Sequence, residues 1–131
     1  MSERRPRRRR ATFLAAAKAD VGRLARDDPR LAKLALKTGR DLESRTVNGA
    51  PLEEMATTGD LTDCRKVYFG LGNPPSHRIV YRDLGASKGV EILEVVAIEQ
   101  RDDLYAYLLA SARLGRLPVE SRRRSIGFTS G

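Results

Sequence analysis

The pattern of apolar positions in the first half of the chain predicts two helices. Two stripes recur at helical spacing: Leu14, Ala17, Val21 and Leu24, and then Leu31, Leu34, Ala35 and Leu42. Residues three and four positions apart share one face of a helix, so each stripe marks a face that can be buried. Asp28 and Pro29 separate the stripes, and they suit the cap and the first position of a helix that runs to about Arg45.

The second half of the chain changes to the alternating pattern of strands. Three segments are predicted to be strands: Lys66 to Leu71, His77 to Arg82 and Val90 to Ile98. Segments typical of loops and turns join them at Gly72 to Ser76 and at Gly85 to Gly89. Connections this short favour antiparallel pairing of the strands, because parallel strands need a longer crossover.

A helical period returns from Asp102 to Leu114, with Leu104, Leu108 and Ala112 on one face. Helices, then three strands, then a closing helix are the order of an α+β protein rather than of a doubly wound one. The sequence therefore predicts an α+β fold, in which a small antiparallel sheet carries two N-terminal helices on one face and is completed by a C-terminal helix.

Length and composition exclude several classes of protein. With 131 residues, of which 40% are hydrophobic, the chain can form one domain with a modest core. No apolar run approaches the roughly 20 residues that span a bilayer, and the basic N-terminus lacks the hydrophobic core of an export signal. The single cysteine, Cys64, cannot form an internal disulfide or a thiolate metal cluster, and it suits a reducing compartment. We therefore expect a cytoplasmic protein without membrane contact.

The net charge of +8 is concentrated at the two ends of the chain. Residues 1 to 10 contain six arginines and one glutamate, and residues 118 to 131 contain three arginines and one glutamate. Basic blocks of this kind are typical of disordered segments that contact nucleic acid, and a solvated tail that only aids solubility is the alternative. We predict a disordered arm at residues 1 to 8, a folded domain at residues 9 to 117 and a flexible basic tail at residues 118 to 131.

Three segments resemble motifs of the RelE/ParE toxin superfamily. Gly59 to Val67 is similar to the family's "G-D-L-x-G-C-x-K-L" sequence, and His77 to Arg82 is similar to its "Y-R-I/V/L-V-Y" strand. Val95 to Tyr105 is similar to the last strand and the "R-D/E-x-V/L-Y" start of the closing helix. The order and spacing of the three motifs make the resemblance specific, and it covers about residues 9 to 117. It also implies a first strand at Arg9 to Leu14, where alanine-rich composition alone predicts helix.

The resemblance implies the toxin of a type II toxin–antitoxin pair, whose partner is a cognate antitoxin. Toxins of the RelE branch cleave messenger RNA on the ribosome without metal or cofactor, by attack of the 2′-hydroxyl on the adjacent phosphate. That reaction needs a base, cations for the phosphate and an acid for the leaving oxygen. The alternatives are a ParE-like inhibitor of DNA gyrase and a non-catalytic relative that binds nucleic acid or a host protein. The antitoxin is expected to bind as an acidic amphipathic helix.

Strand alternation and the resemblance together select the candidate site residues. Alternation puts Lys66, Tyr68, Arg78 and Arg82 on the face opposite the core, which we expect to be open. The resemblance implies that Lys66, Arg78 and Tyr105 act in catalysis. Substrate contacts are predicted for His77, Tyr68 and Arg82, and Tyr68 stands where the family's RNases often have a second lysine. We predict that Lys66, Arg78 and Tyr105 lie together on one concave surface.

Glu99 and Arg101 are added to the catalytic candidates at the edge of that surface. Glu99 stands where the family's RNases often have an arginine, and Arg101 is close enough along the chain to replace it. A glutamate at this position can act as the base, or it can repel the phosphate and mark a lost activity. Cys64 is expected to be structural, and His77, as a lone histidine, is not expected to hold a metal.

Overall fold

The computed structural model describes residues 7–52, 61–100 and 105–116, and three helices and five strands lie within them. The elements in chain order are β1 (Arg8–Phe13), α1 (Ala15–Asp27), α2 (Pro29–Glu43), β2 (Ala50–Pro51), β3 (Cys64–Phe69), β4 (His77–Ser87), β5 (Val90–Gln100) and α3 (Tyr105–Arg113). The predicted tail at residues 118 to 131 and most of the predicted arm fall outside the described residues. Arg8, the last residue of that arm as predicted, is the first residue of β1.

The five strands form one sheet in the order β1-β5-β4-β3-β2. Strands β3, β4 and β5 pair antiparallel as consecutive neighbours, which confirms the predicted meander. Strand β1 lies parallel to β5, with Arg8 opposite Val90 and Phe13 opposite Val95, so the sheet as a whole is mixed. The α+β class is confirmed, and so is the first strand that the family resemblance implied. The two-residue strand β2 pairs with Arg65 and Lys66 of β3.

Helices α1 and α2 cover one face of the sheet, as predicted. Asp28 caps α2 by accepting a hydrogen bond from the Arg30 N–H at 3.0 Å, and Pro29 is its first residue. The core on this face is built from small helical residues against larger strand residues: Ala17, Leu24, Ala32, Ala35 and Leu42 against Phe69, Ile79, Tyr81, Leu93, Val95 and Ile98. Alanines let the helices approach the sheet closely, because their side chains end at Cβ.

The opposite face of the sheet is covered in part by α3, so the expectation of an open face was wrong. A second core lies there: Leu52, Leu61, Cys64, Val80, Val96, Ala97, Ala106, Tyr107 and Ala110. The register of β4 against β5 shifts after Val80, so that Val96 and Ala97 both lie against α3. Because of this bulge, two consecutive residues of β5 contribute to the apolar surface on which α3 packs, whereas strict alternation would contribute only one of them.

The apolar face predicted for α3 was also wrong. Its buried residues are Ala106, Tyr107, Ala110 and Ser111, whereas Leu108 and Ala112 of the predicted stripe are exposed. Three of the four buried residues are small, so α3 packs on the sheet through Ala106, Ala110 and Ser111 rather than through its leucines. The pattern of large apolar residues therefore pointed to the wrong side of α3.

The hairpin between β4 and β5 is longer than predicted. Its strands pair from His77 opposite Gln100 to Ser87 opposite Val90, and the turn is reduced to Lys88 and Gly89, both with positive φ. Two residues with positive φ form a type I′ turn, whose twist matches that of paired strands. The predicted turn from Gly85 onwards thus lies largely within the paired strands.

The buried carboxylate of Asp20 on α1 binds groups of both β5 and α3. It lies just beyond Val95, the last residue of β5 that pairs with β1. Beyond that point the Ile98 N–H donates to Asp20 Oδ2 at 2.9 Å. Arg113 of α3 donates to the two carboxylate oxygens at 2.6 and 2.9 Å and to the carbonyl of Val96 at 2.9 Å. The side chain of Asp20 is completely buried. This ion pair therefore ties α3 to the edge of the sheet.

Candidate functional site

Three of the candidate residues form a row across three neighbouring strands. Tyr68 of β3 lies opposite Arg78 of β4, and Arg78 lies opposite Glu99 of β5. Directly paired residues of antiparallel strands point to the same side of a sheet, so the three side chains share the face that carries α3. Lys66, two residues before Tyr68, points to the same side. The structure thus brings Lys66, Tyr68 and Arg78 together, as the strand pattern predicted.

The guanidinium of Arg78 is held between two tyrosine rings. Its Cζ lies 5.3 Å from the ring centre of Tyr68 and 4.3 Å from the ring centre of Tyr107 on α3. Lys66 Nζ lies 5.6 Å from the centre of the Tyr68 ring. Arg78 is only 6% exposed, because Tyr107 covers it. Lys66, Tyr68, Arg78 and Tyr107 are called the cation–tyrosine cluster below.

The two cations of the cluster alter the acidity of Tyr68. Burial by itself raises the pKa of Tyr68, but hydrogen bonds with Lys66 and Arg78 outweigh it and bring the pKa below the ordinary value for tyrosine. The hydrogen bond to Tyr68 in turn raises the pKa of Lys66, so its ammonium stays protonated at neutral pH. The pKa of Tyr107 is raised, chiefly by burial. Tyr68 is therefore the phenol in the cluster that gives up its proton more readily.

Glu99 ends the row on the β5 side, next to Arg23 of α1. Its carboxylate lies 3.3 Å from the Arg23 guanidinium. Burial raises the pKa of Glu99, and the negative charge of Asp20 adds to the increase. A carboxylate with a raised pKa is a stronger base than an ordinary one once it is ionised.

Replacing Glu99 with glutamine is expected to stabilise the fold at neutral pH. Because the pKa of Glu99 is higher in the folded than in the unfolded chain, its ionisation costs stability as the pH rises through that interval. The Glu99→Gln variant should therefore unfold at higher denaturant concentration than the wild type at pH 7, and the difference should shrink near pH 4. Unfolding followed by circular dichroism at both pH values measures this, and an equal difference at the two pH values would contradict it.

Other candidates of the sequence analysis lie apart from the cluster. His77 is buried on the opposite face, where its ring centre is 5.5 Å from that of Phe69 and its Nδ1 is 2.7 Å from the Ser76 hydroxyl. Arg82 is four residues beyond Arg78, about 13 Å along the strand, and it donates to Glu94 at 2.8 Å. Arg101 lies outside the described residues. The structure therefore brings neither His77 nor Arg82 to the cation–tyrosine cluster.

Tyr107, rather than Tyr105, is the tyrosine of α3 that contacts Arg78. Tyr105 is 54% exposed. Residues two apart on a helix point to different sides, so Tyr105 and Tyr107 cannot both face the sheet. Sequence reasoning missed Tyr107 because the leucines of α3 suggested a different buried face. The sequence signal for Tyr107 is its position next to Ala106 and Ala110. These two small residues are four positions apart, so they mark the side of α3 that can approach the sheet closely.

Cys64 lies in the second core beneath α3. It is buried, and its burial raises the pKa of the thiol to about 12. A thiol that stays protonated is a poor nucleophile, in line with the structural role expected for it. Among the described residues there is no group of three or more His, Cys, Asp or Glu side chains that could hold a metal ion. Their helices are also too short or too polar to span a membrane.

A polar cavity of about 300 Å³ lies on the face of α1 and α2, away from the cluster. Its arginines are engaged by the fold itself. Arg9 pairs with Glu91 at 3.0 Å and donates to Asn48, while Arg65 donates to the carbonyl of Gly49 at 2.8 Å. The cation–tyrosine cluster is the better candidate because it combines cations with a phenol of lowered pKa.

Comparison with known proteins identifies the fold of the chain. No family model matches the sequence, and no curated protein is significantly similar to it in sequence. The structure is similar to that of the YoeB/ParE toxin from Agrobacterium tumefaciens, with a TM-score of 0.53 and 20% sequence identity. The match covers 70% of this chain and 98% of that one. The chain has a RelE/ParE-like toxin fold.

The structural match extends over nearly the whole of the related toxin. The part of the present chain outside the match amounts to 30% of its length. The three motifs on which the sequence resemblance was based overlap β3, β4 and β5, the strands that carry the row of Tyr68, Arg78 and Glu99. The candidate site therefore lies in the three-stranded meander of the toxin fold.

Proposed function

We propose that this protein is the toxin of a type II toxin–antitoxin pair and that it cleaves messenger RNA on the ribosome without a catalytic metal. The observation that carries the proposal is the cation–tyrosine cluster on a RelE/ParE-like toxin fold. Cleavage by the 2′-hydroxyl of the message requires charge stabilisation and proton transfer, and the cluster contains groups for both.

Lys66 and Arg78 supply the positive charge that a cleavage site needs. The pentacoordinate phosphate of the transition state carries more negative charge than the starting diester, so cations placed beside it lower the barrier. The ammonium of Lys66 acts as a point charge, whereas the guanidinium of Arg78 can donate to two phosphate oxygens at once. Glu99 is proposed as the base for the 2′-hydroxyl, since its raised pKa makes it a stronger base than an ordinary carboxylate.

Access to Arg78 depends on α3. Lys66 and Tyr68 are half-buried, while Arg78 is covered by the ring of Tyr107. The message is therefore proposed to meet Lys66 and Tyr68 first, and Tyr107 turns away when the phosphate reaches Arg78. Tyr105 and Leu108 form an exposed apolar side of α3.

The burial of Arg78 favours a second candidate function. A toxin that inhibits DNA gyrase by binding needs no accessible phosphate site, and a covered arginine suits a structural role beneath α3. In that case Arg78 stabilises the packing of α3 on the sheet, and the arginine-rich ends of the chain provide the contacts with nucleic acid or protein. The two candidates differ in whether Arg78 is needed for toxicity.

Induction of the protein in a bacterial host is expected to arrest growth, because messenger RNA is destroyed faster than it is replaced. The Arg78→Ala variant should be at least tenfold less toxic, measured as colony-forming units after induction. Co-expression of a small neighbouring gene that encodes the acidic antitoxin should restore growth. Arrest by both proteins, with Arg78→Ala expressed at the same level, would argue for the gyrase inhibitor. No arrest by the wild type would contradict the toxin assignment.

A further inference from the structure

Two cations converge on one phenol in the cluster. Tyr68 has hydrogen bonds with both Lys66 and Arg78, and each of these side chains can only donate. The phenol oxygen of Tyr68 is therefore the acceptor in both bonds, which leaves its own proton to point elsewhere. Lys66 Nζ and Arg78 Cζ lie 5.6 and 5.3 Å from the ring centre, so the positive charge is also close to the ring itself.

Such an arrangement stabilises the phenolate more than the phenol. A hydrogen bond donated by a cation to an oxygen becomes stronger when that oxygen acquires a negative charge. The lowered pKa of Tyr68 has this cause, since Lys66 and Arg78 outweigh the effect of burial. A phenol of this kind can transfer its proton during a reaction and remain bound as the phenolate afterwards.

The position of Tyr68 in the row gives the direction of that proton transfer. Tyr68 and Glu99 lie on either side of Arg78 in directly paired positions, and neighbouring strands are about 4.8 Å apart, so about 10 Å separates the two backbones. In an in-line displacement at phosphorus the attacking and leaving oxygens lie on opposite sides of the phosphate. With Glu99 as the base on one side, the other end of the row is the place for the acid.

We infer that Tyr68 is the general acid of the site, which protonates the 5′-oxygen of the leaving nucleotide. The inference rests on the proposed ribonuclease function. The 2′-hydroxyl gives its proton to Glu99, and the 2′-oxygen forms a bond with phosphorus. The bond between phosphorus and the 5′-oxygen breaks, and that oxygen takes the proton of the Tyr68 hydroxyl. The products are a cyclic phosphate, a 5′-hydroxyl and the Tyr68 phenolate, which Lys66 and Arg78 stabilise until it is reprotonated.

The test compares two leaving groups in the Tyr68→Phe variant. One message is unmodified, and the other has sulfur in place of the 5′-oxygen at the scissile bond. A thiolate leaves without being protonated, so a general acid is needed for the oxygen substrate alone. Single-turnover cleavage on programmed ribosomes is measured for the wild type, for Tyr68→Phe and for Tyr81→Phe. Tyr81→Phe removes a phenol from the opposite face, where its oxygen accepts a hydrogen bond from the Gly49 N–H.

Tyr68→Phe is expected to slow cleavage of the oxygen substrate by about 10²-fold or more and to cleave the sulfur substrate within a few fold of the wild type. Tyr81→Phe should cleave both substrates at nearly the wild-type rate. Equal losses on the two substrates would overturn the inference and give Tyr68 a positioning role, and no loss on either would exclude any role for its hydroxyl. If the wild type cleaves neither substrate, the proposed ribonuclease function is wrong, and Tyr68 cannot be its general acid.

Discussion

Replacing Asp20 with alanine is expected to lower the free energy of unfolding by about 3 to 5 kcal/mol. The carboxylate is completely buried, and the substitution leaves three donors without this acceptor: the Ile98 N–H and the guanidinium groups of Arg113 and Arg23. The loss of a buried acceptor is costly because those of its former donors that stay buried away from water have no hydrogen-bond partner in its place. Equilibrium unfolding in urea, followed by circular dichroism, measures the change.

Two further substitutions serve as controls for the effect of Asp20→Ala. Asp20→Asn keeps the shape and one acceptor oxygen, so it should cost clearly less than Asp20→Ala. Asp41→Ala removes a half-buried carboxylate that pairs with the exposed ammonium of Lys37 at 2.8 Å, and surface pairs contribute about 1 kcal/mol or less. If Asp20→Ala and Asp41→Ala cost the same, the buried ion pair does not hold α3 to the sheet and that part of the structural account is wrong.

Replacing Arg78 with alanine is expected to reduce ribosome-dependent cleavage by about 10²- to 10³-fold, the usual effect of removing one group that stabilises the charge of a transition state. Arg78→Lys should recover little of the loss, because lysine has neither the two-pronged donor geometry nor the planar group that stacks between the rings of Tyr68 and Tyr107. Single-turnover rates at saturating ribosome measure both effects.

The stability of the Arg78 variants provides the control. Each cation–π contact contributes about 0.5 to 2 kcal/mol, so Arg78→Ala should lower the free energy of unfolding by a few kcal/mol at most. Tyr107→Phe keeps the ring over the guanidinium and should change neither the stability nor the rate by much. A variant that is folded, binds the ribosome and cleaves at the wild-type rate without Arg78 would remove this residue from the site.

The sequence predicts most of the fold because local patterns and turn chemistry agree there. Asp28 and Pro29 mark the start of α2, and the alternating segments mark β3, β4 and β5. The parallel pairing of β1 with β5 is not visible in the alternation of either strand, since it depends on contacts between residues more than 80 positions apart. The buried side of α3 was mispredicted for a related reason: it depends on how the helix packs against Val80, Val96 and Ala97, which belong to other elements.

The candidate site, like the fold, is predicted by the sequence only in part. Strand alternation is sufficient to place Lys66, Tyr68 and Arg78 on one face, because the side-chain period of a strand is two. It also predicts that His77 points away from Arg78, because the two residues are adjacent on β4. The role of Tyr107 and the burial of Arg78 depend on where α3 docks, which strand periodicity does not determine.

The most direct test of the proposed function is the chemistry of the cleaved message. Purified protein is added to ribosomes programmed with a defined message, and the ends of the products are compared with those from a message that has a 2′-deoxy nucleotide at the scissile position. We predict cleavage of the normal message to a 2′,3′-cyclic phosphate and a 5′-hydroxyl, and no cleavage of the deoxy message. An intact normal message, or equal cleavage of both, would contradict attack by the 2′-hydroxyl at the cation–tyrosine cluster.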